Sequence, residues 1–354
     1  MRNIFHRPRF SRKTLRGALG AALSIGVAAQ LLVATPISTT QPAFAATGTD
    51  FNKSIGPEWL VSIQVADQSY CTGSLISSEW VLTAEHCIVD AYAFAKGTSS
   101  NGVSGATTIK VGNSTTNPLA TSTGDIAYSL SDEFRTDVAL IHLSTPVTSV
   151  TPGVLNTTED YSSSFSTDDY GWSSYSKGNI NHTIGTVSPA DSRKYYYTLS
   201  QFPNVYFGAH KLIATSGNYV RGDSGSPIVG TGNTILGVLS AIDTDTSKVP
   251  TATSTSSPEA ALAPLTTTYT ITVKGSNGNR TLTTKKALNW INAVMNNSGT
   301  SAYSLKTWDL SYSSSSNGSS SGSTGTGASG TTTTTTTPTS APRASGSSFF
   351  GLSS

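Results

Sequence analysis

The chain has 354 residues, 36% of them hydrophobic and 12% charged, which is enough apolar mass for a substantial core and excludes disorder from end to end. Its formal charge of +2 misleads, because six of the 22 Lys and Arg lie between Arg2 and Arg16, leaving 16 against 20 Asp and Glu and a net −4 for the rest. A body of that sign argues against nucleic acid as a partner and against attraction to an anionic membrane surface.

At the start, Arg2, Arg7, Arg9, Arg12, Lys13 and Arg16 precede an apolar run from Ala18 to Ala34 without an acid, and small residues flank Phe44 at Ala43 and Ala45. This is the pattern of a signal peptide over residues 1–45, cleaved after Ala45, with an uncleaved anchor as the competing reading. Expectation is therefore a secreted, extracellular, monomeric protein with no stable membrane insertion after leader removal. The two cysteines, Cys71 and Cys87, both fall in the exported part, where a single disulfide is the natural pairing. Two cysteines at this spacing do not make a metal site, no CxxC or HExxH occurs, and no cofactor is expected.

From Trp59 onward, short β-branched or alternating segments are separated by Gly, Ser, Asn and Asp clusters, the pattern of an all-β barrel or sandwich. Strands are expected at 61–65, 80–83, 138–143, 234–240 and 268–273. A helix is expected over 285–295, with Leu288, Ile291 and Met295 on one face and Asn296, Asn297 and Gly299 as its stop signal. Residues 243–267, rich in Thr, Ser, Pro and Ala, are expected to form a surface insertion. The domain is placed at 46–300 and a flexible Ser/Gly/Thr-rich tail at 301–354, its composition most biased from 313 onward, with seven consecutive threonines at 331–337. Phe349, Phe350 and Leu352 at its end read either as a cell-wall association signal or as a plain hydrophobic terminus.

Three motifs carry chemistry. Gly222-Asp223-Ser224-Gly225 places a glycine two residues before a serine, so that the Gly222 and Ser224 amides can point at one spot and stabilise an oxyanion. By itself such a tetrapeptide is equally a surface turn. His86 stands beside Cys87, so a disulfide would pin the segment that carries a candidate base. Asp137 opens the apolar run Val138 to Leu143, where an unpaired carboxylate is costly and a histidine ring N–H would relieve the cost.

Together these motifs resemble the trypsin/chymotrypsin family of serine peptidases, in its His, Asp, Ser chain order. The similarity extends to Trp59–Gln64, Cys71–Ile76 and Gly237–Ser240, and spans about residues 46–300. It implies two packed six-stranded antiparallel β-barrels with a C-terminal helix, a chymotrypsin-like fold. It also implies an endopeptidase acting on proteins or peptides through an acyl-enzyme. In that scheme His86 is general base then acid, Asp137 orients it, Ser224 attacks, and Gly222 and Ser224 hold the oxyanion. Asn218, Ser240 and Ile242 would line the substrate pocket, where Asn218 lacks the charge of a Lys/Arg-selective floor and Ile242 narrows the site toward small or medium apolar residues. A catalytically silent binding or adhesion domain is the competing reading, and it would normally have lost a triad member.

Two departures stand out. The family's Ile-Val-Gly-Gly start is missing although Asp223, its usual partner, is present; signal-peptide removal would free the Ala46 amine to pair with Asp223 instead. Glu85 replaces a residue that is often small in the family: facing inward its charge would raise the His86 pKa, facing outward it would do little.

Overall fold

A computed structural model describes residues 55–100, 102–158, 163–172, 179–187, 195–199, 201–242, 256–257, 259–276 and 278–312. The expected leader, the Ala46 amine, the Thr/Ser-rich stretch 243–255 and the tail from 313 lie outside the described residues.

Six strands form the first barrel: β1 (Leu60–Val65), β2 (Gln68–Ser77), β3 (Trp80–Thr83), β4 (Thr108–Val111), β5 (Ala120–Leu130) and β6 (Ala139–Leu143). Their order is β5-β4-β1-β2-β3-β6, and β5 pairs again with β6 in the register Ser129 to Ala139, which closes the ring. The second barrel comprises β7 (Phe165–Gly171), β8 (Asn181–Val187), β9 (Phe202–Ser216), β10 (Pro227–Gly230), β11 (Thr234–Ile242) and β12 (Glu259–Pro264). It runs β8-β7-β10-β11-β12-β9, and the pairing of β8 with β9 closes it. Every ladder within the two rings is antiparallel, the architecture implied by the sequence resemblance. Ring closure removes the unpaired strand edges that would otherwise template aggregation.

The apolar residues follow this geometry. Val61, Ile63, Leu75, Val81, Leu82, Ile109 and Ile141 are fully buried in the first core; Leu212, Ile228, Leu239 and Leu262 fill the second. Leu60, Trp172 and Ile180 form a third cluster, joining β1 to residues that flank the hairpin of β7 and β8. On β1 the buried Gln64 donates through Nε2 to Ser62 Oγ and Ser69 Oγ, each at 3.0 Å.

Two helices accompany the barrels. Helix α1 (Glu85–Ala95) starts where β3 ends, and was not foreseen from the sequence. Cys87, Ile88, Ala91, Phe94 and Ala95 share one buried face, but Glu85 and His86 are buried as well and the apolar Val89, Tyr92 and Ala93 lie off that face, so the periodic contrast in the sequence is weak. Helix α2 (Ala287–Met295) meets the expected position, but Ala287, Trp290, Ile291 and Val294 are its buried residues, with Leu288 and Met295 at the margin of the first core. No helix among the described residues is long and apolar enough to cross a membrane.

Two expected boundaries need correction. Residues 259–264 are a central strand of the second barrel, so they belong to the core; Ala260, Ala261, Leu262 and Ala263 are all buried. Their small side chains made the strand read as loop. Likewise the domain does not end at residue 300, because the strand Leu305–Asp309 pairs with β5 and buries Trp308 and Leu310.

Candidate functional site

His86 lies in the first turn of α1, where the backbone N–H groups have no partner within the helix, and Ala84 at the cap offers no side-chain acceptor. Asp137 supplies it from the loop before β6. Its Oδ1 accepts from the His86 backbone N–H at 3.0 Å, while Oδ2 accepts from His86 Nδ1 at 2.8 Å. One carboxylate thus caps the helix and orients the ring that the helix carries. The Ser240 hydroxyl donates to the same Oδ2, so the Ser240 side chain is bonded to Asp137. Nδ1 is thereby the protonated ring nitrogen, and Nε2 is left as the basic one.

Electrostatics support this tautomer. Burial alone would raise the fully buried Asp137 carboxyl, but the His86 charge and the hydrogen bonds from His86 and Ser240 outweigh it and hold the pKa below the usual range. Burial likewise disfavours the His86 imidazolium, yet the charge and hydrogen bond of Asp137, with smaller help from Asp90 and Glu85, raise the His86 pKa above its ordinary value.

The disulfide Cys71–Cys87 joins β2 to α1 across 6.1 Å between Cα atoms. Cys87 Sγ lies 3.8 Å from His86 Nε2 and 3.6 Å from the carbonyl oxygen of Ser224, so ring and nucleophile loop meet at one sulfur. His86 and the two cysteines come close enough to suggest a metal cluster, but sulfurs committed to a disulfide are not thiolate ligands. No hydrogen bond joins Ser224 Oγ to His86 Nε2, and such a bond commonly tightens only when substrate is bound.

The loop around Ser224 is held by Thr72, a residue that sequence reasoning passed over. Thr72 N donates to Ser224 O at 2.8 Å, and Thr72 Oγ1 donates to Gly222 O at 2.8 Å while accepting from Trp172 N at 2.7 Å. Two carbonyls of the loop are therefore fixed by one residue next to Cys71. Gly222 has φ +96° and Gly225 φ +81°. A Cβ on Gly225 would fall 2.1 Å from Thr83 Oγ1 and 2.3 Å from Thr72 O, so glycine is required there by backbone conformation and by space.

Of the remaining expected positions, Asn218 is half-buried and its carbonyl accepts from Asn181 Nδ2 at 3.0 Å and Thr183 Oγ1 at 2.8 Å, which ties the loop before Ser224 to β8. Ile242 ends β11 opposite Ala260 and is half-buried. Asp223 is fully buried: Oδ2 accepts from Asn181 Nδ2 at 2.7 Å and Val220 N at 2.9 Å, while Oδ1 has no partner among the described residues. Close by, Asp169 accepts from Ser226 Oγ, and its Oδ2 has no partner among the described residues. Burial pushes Asp223 up to about 7, and burial together with the Asp223 charge pushes Asp169 well above the carboxylate range.

Comparison with known proteins adds a lineage to this geometry. The Trypsin family model matches residues 47–260. Human kallikrein-7 is 26% identical over 186 residues, covering 51% of this chain and 70% of its own. Among solved structures, human heparin binding protein aligns at 18% identity and TM-score 0.43 over 70% of this chain and 96% of its own. A Glu endopeptidase aligns at 21% and 0.40 over 60% and 88%.

Proposed function

Since this chain belongs to the trypsin family of serine peptidases, we propose that it is a secreted serine endopeptidase that cleaves protein or peptide substrates through a Ser224 acyl-enzyme. The observation that carries the reading is the bond from His86 Nδ1 to a fully buried Asp137, with Nε2 3.8 Å from the Cys87 sulfur that itself lies 3.6 Å from the Ser224 carbonyl oxygen. In this scheme Nε2 takes the Ser224 proton as the hydroxyl attacks the scissile carbonyl and returns it to the leaving amine. Asp137 stabilises the imidazolium formed between those steps and stays ionised, in keeping with its lowered pKa. The Gly222 and Ser224 amides receive the oxyanion, on a loop whose carbonyls are already bound by Thr72. Because the His86 pKa is raised, activity should fall as the pH drops through that value and the base becomes protonated.

Activation follows the same logic. The buried Oδ1 of Asp223 and the nearby Asp169 create a negative site that favours a cation, and an Ala46 amine released by signal-peptide cleavage is a suitable one. Substrate choice by Asn218 and Ile242 would favour small or medium apolar side chains over Lys or Arg, which a defined peptide library measures directly. Cell-wall retention through the tail belongs to the same reading.

The test is labelling of the purified secreted protein with a phosphonofluoridate beside a Ser224→Ala control, with mass mapping of the modified peptide. Stoichiometric label on Ser224, absent from the control, is expected. Correctly processed protein that takes no label would overturn the peptidase reading.

A further inference from the structure

Glu85, directly before the candidate base, is wholly buried beside an equally secluded arginine two residues before Asp137. Arg135 Nε donates to Glu85 Oε2 at 2.6 Å and Nη2 to Oε1 at 2.9 Å, a two-point fork that fixes both planes. Ser129 Oγ adds a third donor to Oε1 at 3.0 Å and itself accepts from Trp308 Nε1 at 3.1 Å. Behind the guanidinium, whose carbon is 5.5 Å and 5.4 Å from the ring centres of Phe202 and Phe207, the second barrel closes the site. The short strand Phe134–Arg135 pairs in parallel with Tyr206–Phe207 of β9, so this contact is made by backbone as well. The other end of α1 is held by the same C-terminal strand: Lys96 Nζ reaches Asp309 Oδ2 at 2.8 Å, and Tyr92 meets Trp308 edge to face at 5.5 Å.

We propose that Glu85 and Arg135 are positioning residues that lock the His86 segment to the Asp137 segment, with Trp308 on the strand after α2 bracing the pair through Ser129. The inference rests on the peptidase reading for its effect on rate. Its basis is connectivity: the ion pair spans residues 85 and 135, and the bond whose geometry matters spans 86 and 137. A buried ion pair is seldom the most stabilising filling for such a site, so specificity of geometry is the better account of it. Through-space charge adds to the mechanical effect. Asp137, Asp90 and Glu85 raise the His86 pKa, and the cations that interact with Glu85 are Arg135 and Lys306.

Glu85→Gln and Arg135→Lys separate positioning from stability when kcat and KM are measured per labelled active site across pH. Both are expected to lower kcat about tenfold or more with KM within about twofold, as for misplaced catalytic groups. The acid limb of kcat/KM should move to lower pH in Glu85→Gln, which loses a negative charge near His86, and stay in place in Arg135→Lys, which keeps its charge. Trp308→Phe, which keeps an aromatic ring but loses the indole N–H that donates to Ser129 along with part of the ring, should show a milder fall in kcat. Unchanged kcat per labelled site and an unchanged limb, even with lowered melting temperature, would reduce the pair to a structural role and overturn the proposal. If Glu85→Gln does not fold, Arg135→Lys and Trp308→Phe decide through kcat. NMR titration of the His86 ring in wild type and Glu85→Gln requires no turnover. A downward shift in the variant upholds the coupling even where wild-type protein fails to label, which is the separate failure of the peptidase reading.

Discussion

Two buried carboxylate sites flank the candidate triad, one on each barrel, and they solve the same problem differently. On the first barrel Glu85 is ionically complete: a guanidinium fork and a hydroxyl take its oxygens. On the second, Asp169 and Asp223 bring two like charges together, each with an oxygen that has no partner among the described residues. A buried charge needs an opposite partner or a proton. The first site carries its cation in the fold, whereas the second has none on these oxygens among the described residues. On the readings proposed above, one is a fixed brace and the other a switch that responds to processing.

That contrast is open to direct attack. Breaking a buried pair costs about 3–5 kcal/mol, so an extension upstream of Ala46, or Asp223→Asn, should lower kcat/KM by about a hundredfold or more if the amine docks there. Full activity from an extended chain, verified by intact mass, would remove the switch. Glu85→Ala strands the Arg135 charge and should destabilise by about 3–5 kcal/mol in urea unfolding, whereas exchanging both residues for Met should come close to wild type. Loss of the Cys71–Cys87 disulfide by double Ser replacement should cost about 3 kcal/mol in the same assay, and it acts on both sites because Cys71 adjoins Thr72.

Smaller effects appear in the pH dependence of stability. Asp223 is raised to about 7 in the fold, against about 4 in an unfolded chain. Its contribution is therefore complete below about pH 4 and is lost as pH rises through about 7. In protein with a blocked amino terminus the melting temperature should decline across that window, and Asp169→Asn should flatten the decline. Free Ala46 should flatten it too. His210 is shifted the opposite way, held down to about 4 by burial, so its contribution is present above about pH 6.5 and lost as pH falls toward 4. His210→Asn should remove that acid slope, leaving the contrast between the two carboxylate sites untouched.

Much of the site was legible before the structure. His86, Asp137 and Ser224 sit in motifs whose residue types are dictated by chemistry, and the strands at 61–65, 80–83 and 234–240 announce themselves by β-branched or alternating patterns. What escaped has identifiable causes. Helix α1 carries apolar residues off its buried face as well as on it, so its stripe is blurred, and the strand Glu259–Pro264 is half alanine and looks like loop. Strand Leu305–Asp309 is a five-residue edge piece of mixed polarity, given meaning only by its partner β5.

The sequence by itself determined the class of fold and the pairing of its only two cysteines, and it nominated the candidate triad, because each depends on local pattern or on a count. Tertiary structure alone decided which way Glu85 faces, that Arg135 meets it, that Ser240 turns to Asp137, and that Thr72 holds the nucleophile loop. Those contacts join residues 50, 103 and 150 positions apart, and no periodicity in the chain encodes a separation that only barrel closure creates.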